Sequence, residues 1–408
     1  MKGERRLVVW LGDEAIGDLE REGRRYDFRL RLRPGTRALL TVAEGGAPST
    51  WTPSFTGAWF DGLLPEEARR SAAETDHGVD RGDTFGLLAA IGWECAGAVS
   101  ILPEGRLPAA GTYRPLAKDE VAERLDALPR FVAEIDHEVR LSLGGAQEKL
   151  LLTRLDGGWN LPLEGAISTH ILKPEPDRYP GLAVAEAWSL AVASSATIAA
   201  SAEYTAPTGH RPTIIVERYD RRITGSGVVR IHQEDGCQVI GLPPGEKYPR
   251  SAGPRAASLM RIAALLVARA EEPMGELQRL LEQTVVNVAL LNTDAHAKNI
   301  SFLHTPRRTV TLSPLYDIAP TAWFLPTQTQ VALPIGGKWK IREIEPRHLL
   351  AESHAWGMAA GVARSTIRST LAAVRAGIAS ATERYPEAPA PMRAAVEAQV
   401  LRLLDTAM

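Results

Sequence analysis

Two things are scarce in this chain of 408 residues: cysteine, and an excess of charge of either sign. Cys95 and Cys237 are its two cysteines. They fit no metal-ligand spacing, exclude a disulfide scaffold and favour a reducing compartment. Lys and Arg total 47 against 49 Asp and Glu, for a net charge of -2. A strongly basic nucleic-acid binder does not balance this way, although a local basic patch stays open. Long apolar runs are also missing. The most apolar stretch, 182–202, is broken by Glu186 and several Ser and Thr and carries more Ala than Leu or Ile, so it reads as a buried helix rather than a membrane span. The opening MKGERRLVVW meets Asp13 and Glu14 with no apolar core segment, which argues against a secretory signal. What is present is 45% hydrophobic and 24% charged residues, enough apolar surface for ordinary globular cores. At this length two or three domains are expected, in a soluble cytoplasmic protein without a membrane partner.

The first hundred residues read mainly as strands and turns. LVVWL, at 7–11, is a β-rich run before the turn-prone Gly12-Asp13, and YDFRLRLRP alternates apolar and charged residues with the period of a half-buried strand. The segment 83–102 reads as a helix passing through glycines into a strand, and the Pro- and Gly-rich 103–115 as a linker. A short helix fits 118–128. RLSLGGAQEKLLLTRLDGGWNLP then supplies a strand, a Gly turn, a second strand and a hairpin turn at Asp156-Gly157-Gly158. STHILKP and the TIIV of RPTIIVERYDR read as strands flanking the Ala-rich helix. Beyond about 250, helical periodicity dominates.

The strongest chemical signal is NTDAHAKN, 292–299, directly after an amphipathic helix. Asp294 and Asn299 stand at the D-x-x-x-x-N spacing that phosphoryl transfer uses, where a carboxylate orients and deprotonates a hydroxyl and an amide oxygen holds a hard cation. Asp317, just past the β-branched run of TVTLSPLYDIAPT, supplies the second carboxylate such a cation needs. Asp and Asn in isolation more often cap helices or hold loops. The helix before the pair and the strand ending in Asp after it favour the catalytic reading. SLGGAQEK, 142–149, is a Gly loop between strands that lets backbone amides approach phosphates, though Gly pairs between strands are usually hairpin turns. Lys173 on a strand downstream is placed to meet phosphates, with Glu186 as a candidate partner, because a Glu buried in an apolar helix needs a cation. IIVERYD, 214–220, fits either a hinge whose backbone at Glu217 and Tyr219 meets an adenine edge or an edge strand with an exposed Glu-Arg pair.

Gly loop, strand Lys, helix Glu, hinge strand, D-x-x-x-x-N loop and strand Asp occur in the order found in a two-lobed kinase. The segments SLGGAQEKLLL, THILKPE, VERYDR, IHQEDGCQVIGLPPGEKY, NTDAHAKNISF and LSPLYDIAPT together resemble the HipA family, the serine/threonine kinase toxins of bacterial type II toxin–antitoxin modules. VVWLGDEAIGDL, FDGLLPEEARR and DTFGLLAAIGWECAGAV are similar to that family's amino-terminal subdomain, so the resemblance spans nearly the whole chain.

The resemblance implies an α+β, two-lobed protein-kinase-like fold of the PI3/4-kinase type. It would comprise an N-terminal strand-rich subdomain (1–115), a kinase N-lobe (116–219) and a helical C-lobe (220–408). It implies ATP and Mg²⁺ as cofactors, Asp294 as catalytic base, and Asn299 and Asp317 as metal ligands. Gly144, Gly145, Ala146, Gln147, Glu148 and Lys149 would form the phosphate loop, with Lys173 on the ATP phosphates. Glu217, Arg218 and Tyr219 would form the hinge, and His296, Lys298 and Tyr316 would face the nucleotide. Ser142 matches the serine that the family autophosphorylates as an off-switch, where about −1.5 to −2 charges would repel the phosphates of ATP. The implied substrate is an aminoacyl-tRNA synthetase, the glutamyl enzyme favoured. The implied partner is a HipB-like helix-turn-helix antitoxin, through which operator DNA would mainly be met. Two other classes stay open: a catalytically silent kinase-like corepressor, and a small-molecule or lipid kinase.

Overall fold

Strand Arg6–Leu11 turns at Gly12, whose φ of +61° suits glycine, and pairs antiparallel with Glu14–Arg21. Glu14–Arg21 pairs in turn with Phe28–Leu32, and Val99–Pro103 closes the other side of Arg6–Leu11, giving a four-stranded antiparallel sheet. The structure, a computed structural model, describes residues 5–22, 28–35, 41–42, 51–128, 147–225, 227–249 and 255–406. The chain divides into two compact units that interleave in sequence. One holds Met1–Lys173, Pro207–Arg211 and Arg218–Gly245; the other holds Pro174–Ala206, Pro212–Glu217 and Glu246–Met408.

In the first unit, alternation along the strands turns Leu7, Val9, Ile16, Leu19 and Phe28 into one core with Trp59, Phe60 and Phe85 from helices Pro53–Asp61 and Thr84–Ile91. Both helices start on side-chain caps: Thr52 accepts from the Phe55 amide and Asp83 from the Gly86 amide. Asp83 also binds Arg21 at 2.7 Å. A second antiparallel sheet follows, with Thr112–Leu116, Gly158–Leu163, Leu150–Leu155 and His170–Pro174 side by side. The hairpin between its two middle strands turns on Asp156 and Gly157, both at positive φ, as a two-residue hairpin loop requires.

A buried charge network ties this unit together, and nothing in the local sequence pattern announces it. Arg218 binds Glu94 at 3.1 Å and Asp220 at 2.9 Å, and Arg221 binds Asp220 at 3.0 Å. The Gly97 amide donates to Asp220 at 2.7 Å, and Ser168 donates to Glu94 through both its amide and its hydroxyl. All four charged side chains are buried. Burial opposes the charge on Asp220 and Glu94, but the guanidiniums of Arg218 and Arg221 outweigh it and hold both carboxyls below their ordinary range. Burial, helped by the like charge of Arg218, pushes Arg221 down to about 9. Nearby, Glu234 accepts from the Trp59 indole at 2.8 Å, from the Val42 amide at 2.8 Å and from the Thr41 hydroxyl.

In the second unit, helix Leu182–Ala193 is buried along almost its whole length, as its Ala-rich sequence suggests. It packs on the long helix Ala360–Arg384, with Trp188 Nε1 donating to Thr382 Oγ1 at 3.2 Å. Gly377 permits the approach, since a Cβ there would stand 2.5 Å from Ser195 Oγ. Helix Pro273–Ala289 is the unit's scaffold: helices Leu259–Arg269, Ala360–Arg384 and Ala390–Thr406 lie against it. Among the described residues no helix is long and apolar enough to cross a membrane. The α+β class, with an N-terminal strand-rich part and a helical C-terminal part, agrees with the expectation, and both cysteines are buried.

Candidate active site

The D-x-x-x-x-N loop leaves helix Pro273–Ala289 through an abrupt change of direction. Leu291, fully buried, has a φ of +57°, a conformation that costs a non-glycine residue and persists only where the surroundings impose it. Here the surroundings are explicit. The Asn292 amide donates to the Asn287 carbonyl at 2.9 Å, and Asn292 Nδ2 to Asn287 Oδ1 at 2.7 Å. Asn292 Oδ1 accepts the Asp294 amide at 3.0 Å. Thr321 Oγ1 accepts the Thr293 amide at 2.7 Å, the Ala322 amide reaches the Leu291 carbonyl at 3.1 Å, and the Ala332 amide reaches the Thr293 carbonyl at 2.9 Å.

Within the loop, the Asp294 carbonyl accepts the His296 amide at 2.8 Å and Asn299 Nδ2 at 3.0 Å. The Asn299 amide in turn donates to the His296 carbonyl at 2.8 Å. The loop is thus closed by its own two signature residues, Asp294 through its backbone and Asn299 through its side chain. Asp294 is half-buried, while His296, Lys298 and Asn299 are buried.

Asp317 returns to this loop by way of a hairpin. Strand Ser301–His304 pairs antiparallel with Val310–Leu312, and the Ser313 amide donates to the Ser301 carbonyl at 2.8 Å. Helix Pro273–Ala289 grips the returning strand: Glu276 Oε2 accepts the Leu312 amide at 2.7 Å, Arg279 donates to the Leu312 carbonyl at 2.7 Å, and Gln283 to the Ser313 carbonyl at 2.9 Å. The next residues are pinned by a parallel bridge between Ala199 and Leu315. Tyr316 then donates its hydroxyl to the Lys298 carbonyl at 2.6 Å and lies 2.7 Å from Ser301 Oγ. Asp317 itself sits at a φ of +55°.

The oxygen donors here suit a hard cation. The nitrogen of the Asn299 amide is committed to the Asp294 carbonyl, and a carboxylate follows at Asp317, next to Tyr316, whose hydroxyl is bonded to the loop. Among the described residues no three His, Cys, Asp or Glu are grouped to hold a metal. A cation bound by one amide and one carboxylate would therefore complete its shell with water and phosphate oxygens, as Mg²⁺ does.

The other expected positions fall as follows. Ser142, Gly144, Gly145 and Ala146 lie outside the described residues. Gln147, Glu148 and Lys149 lead into strand Leu150–Leu155 without regular structure, with Glu148 accepting from Arg211 at 3.1 Å. Lys173 lies buried on strand His170–Pro174, and Glu186 lies buried in helix Leu182–Ala193, as its apolar setting suggested. Glu217, at the end of strand Thr213–Glu217, is exposed, with its amide bonded to the Ser201 carbonyl at 2.9 Å. At two of these positions the side chain already has bonded partners. The Arg218 guanidinium is bound within the Glu94 and Asp220 network, and its amide donates to the Thr169 carbonyl at 2.9 Å. The Tyr316 hydroxyl is bound to the loop backbone, which makes it a brace for that loop. Tyr219 donates its hydroxyl to Gln233 at 2.6 Å.

Sequence reasoning missed two sets of residues. Asn287, Asn292, Thr293 and Thr321 hold the loop in place; Asn292, Thr293 and Thr321 lie inside the segments read for chemistry, but none was given this role. Tyr248 donates its hydroxyl to Asp294 Oδ1 and sets its ring edge-on to His296, with centroids 5.1 Å apart.

The two units, with the braced loop and Asp317 beyond the following hairpin, match a known family. Residues 7–102 match the HipA N-terminal domain and residues 141–381 the HipA-like C-terminal domain. The chain belongs to the HipA family of serine/threonine kinase toxins. It is 30% identical over 369 residues to the serine/threonine-protein kinase toxin HipA of Shewanella oneidensis, covering 86% of this chain and 83% of that one. A Sinorhizobium fredii protein, Y4mE, whose name carries a provisional kinase assignment, is 36% identical over 295 residues, 70% of this chain and 69% of that one. Among solved structures, the Shewanella oneidensis HipA, HipB and operator DNA complex aligns with a TM-score of 0.82 at 26% identity, over 98% of this chain and 96% of that one.

Proposed function

We propose that this protein is an ATP- and Mg²⁺-dependent serine/threonine protein kinase acting as a growth-inhibiting toxin. The observation that supports this best is the loop in which Asp294 and Asn299 are hydrogen-bonded to each other while Tyr316, the residue before Asp317, is bonded to the same loop. Phosphoryl transfer is mostly positioning and charge stabilisation, and this loop is built for positioning. On this reading Asp294 orients the acceptor hydroxyl and takes its proton. Asn299 and Asp317 hold Mg²⁺, which when bound spreads the charge of the phosphates. Lys173, supported by Glu186, and the 144–149 loop hold the phosphates of ATP, while the backbone at 217–219 meets the adenine. Ser142 is the autophosphorylated off-switch.

The solved Shewanella complex contains HipA with HipB and operator DNA. That assembly supports an antitoxin and operator DNA as partners here; on our reading the antitoxin is of the helix-turn-helix type and DNA is met mainly through it, which suits the net charge of -2. The substrate we favour is an aminoacyl-tRNA synthetase of the glutamyl type, encountered in the cytoplasm. Phosphopeptide mass spectrometry after brief induction without antitoxin tests the substrate class. New phosphoserine or phosphothreonine on such a synthetase supports the reading; no new phosphoprotein would favour a silent corepressor or a lipid kinase.

A further inference from the structure

A carboxylate acting as base in phosphoryl transfer accepts one hydrogen bond from the hydroxyl about to attack. At Asp294 a hydroxyl of this chain already makes such a bond: that of Tyr248, on Oδ1. Two further contacts set its pose. The ring meets His296 edge-on at 80°, and the ammonium of Lys247 lies 5.5 Å from the ring centroid. Yet Tyr248 is 41% exposed, whereas His296 beneath it is 6% exposed. The backbone leading to it is one short turn, Pro244–Glu246, not a long helix. The phenol is thus held at its tip and along one edge on a residue that stays partly open to solvent.

We propose that Tyr248 is a positioning residue that holds the place of the acceptor hydroxyl. It caps Asp294 and keeps water from the base, and it moves aside when a serine or threonine of a protein substrate arrives. A phenol O–H and an alcohol O–H offer the carboxylate the same donor, so the exchange replaces one hydrogen bond by another. Water offers that donor too, but without a polypeptide's contacts it does not displace an anchored ring. The residue thereby selects a protein hydroxyl over water. The inference rests on Asp294 being the base, and its test separates the two claims.

The test is ATP hydrolysis in the absence of protein substrate, measured as ADP release by purified full-length wild type, Tyr248→Phe, Tyr248→Ala, Asp294→Asn and the Tyr248→Phe/Asp294→Asn double variant. Tyr248→Phe keeps the ring on His296 and removes the cap. Its hydrolysis kcat should rise about tenfold or more, with KM for ATP unchanged, as expected for loss of one hydrogen bond to a charged group. Tyr248→Ala should rise at least as far. The double variant should fall to the level of Asp294→Asn, because the gain requires the base. A kcat for Tyr248→Phe at or below wild type overturns the proposal, as does a double variant that keeps the gain or phosphotyrosine at position 248. If Asp294→Asn transfers phosphate as well as wild type, the base assignment itself has failed. Tyr248→Phe without effect beside an inactive Asp294→Asn defeats the place-holder alone.

Discussion

Asn299 donates from Nδ2 to the backbone carbonyl of Asp294 at 3.0 Å, so the residue proposed as metal ligand also fixes the backbone of the residue proposed as base. Asn299→Ala removes both the brace and the oxygen. Asn299→Asp keeps an oxygen ligand but turns an acceptor towards the Asp294 carbonyl. Both variants should lose about 10²-fold or more in phosphate transfer. Asn299→Asp should recover part of that loss at raised Mg²⁺ and Asn299→Ala should not. Initial rates across a Mg²⁺ titration check this, and equal recovery by both variants would contradict the double role.

Tyr316 separates bracing from nucleotide contact. Its hydroxyl donates to the Lys298 carbonyl at 2.6 Å. Tyr316→Phe leaves that carbonyl without this donor and should cost about 1 kcal/mol of stability. It should slow transfer while leaving nucleotide affinity as in wild type. Calorimetric binding of ATP beside thermal unfolding gives both quantities; a large loss of affinity would return Tyr316 to the nucleotide.

Arg218 and Asp220 pair at 2.9 Å with both side chains buried. Removing one partner strands the other's charge, and such losses run to about 3–5 kcal/mol. Asp220→Asn and Arg218→Met should each destabilise the first unit by roughly this amount in urea unfolding. A change under about 1 kcal/mol would show that the network relaxes or hydrates instead.

Acid should act on the same network. Asp220 and Glu94 have folded pKa values below their ordinary 3.8 and 4.5. The stability they contribute is therefore fully present above the ordinary values and is lost as pH falls through them towards the depressed ones. The unfolding temperature should hold from neutrality to about pH 5 and then drop through pH 4 and below. Asp220→Asn should drop less steeply over that range, and an identical slope in wild type and variant would contradict the assignment.

How legible each part was follows from its range along the chain. Asp294, Asn299 and Asp317 could be read because the loop and the hairpin that returns Asp317 are local, and their chemistry demands a fixed spacing. The strand at Arg6–Leu11, the helix at Thr84–Ile91 and the hairpin at Asp156-Gly157 were equally local in their signals. The Arg218–Glu94 pair joins residues 124 apart, and Tyr248–Asp294 joins residues 46 apart. No periodicity or turn residue marks such pairs, so the buried network at Arg218 was not foreseen and Tyr248 carried no role. Tyr316 was expected to face the nucleotide from the family resemblance; that its hydroxyl donates to the Lys298 backbone is a detail only the folded loop contains.

The central claim is that Asp294 serves as the base of a protein kinase. Purified wild type and Asp294→Asn, each mixed with cell extract and ATP labelled at the γ-phosphate, test it most directly. Wild type should place label on protein serine or threonine, and Asp294→Asn, folded to the same unfolding temperature, should transfer at least about 10²-fold more slowly. Equal labelling by the two proteins, or none by either, would contradict it.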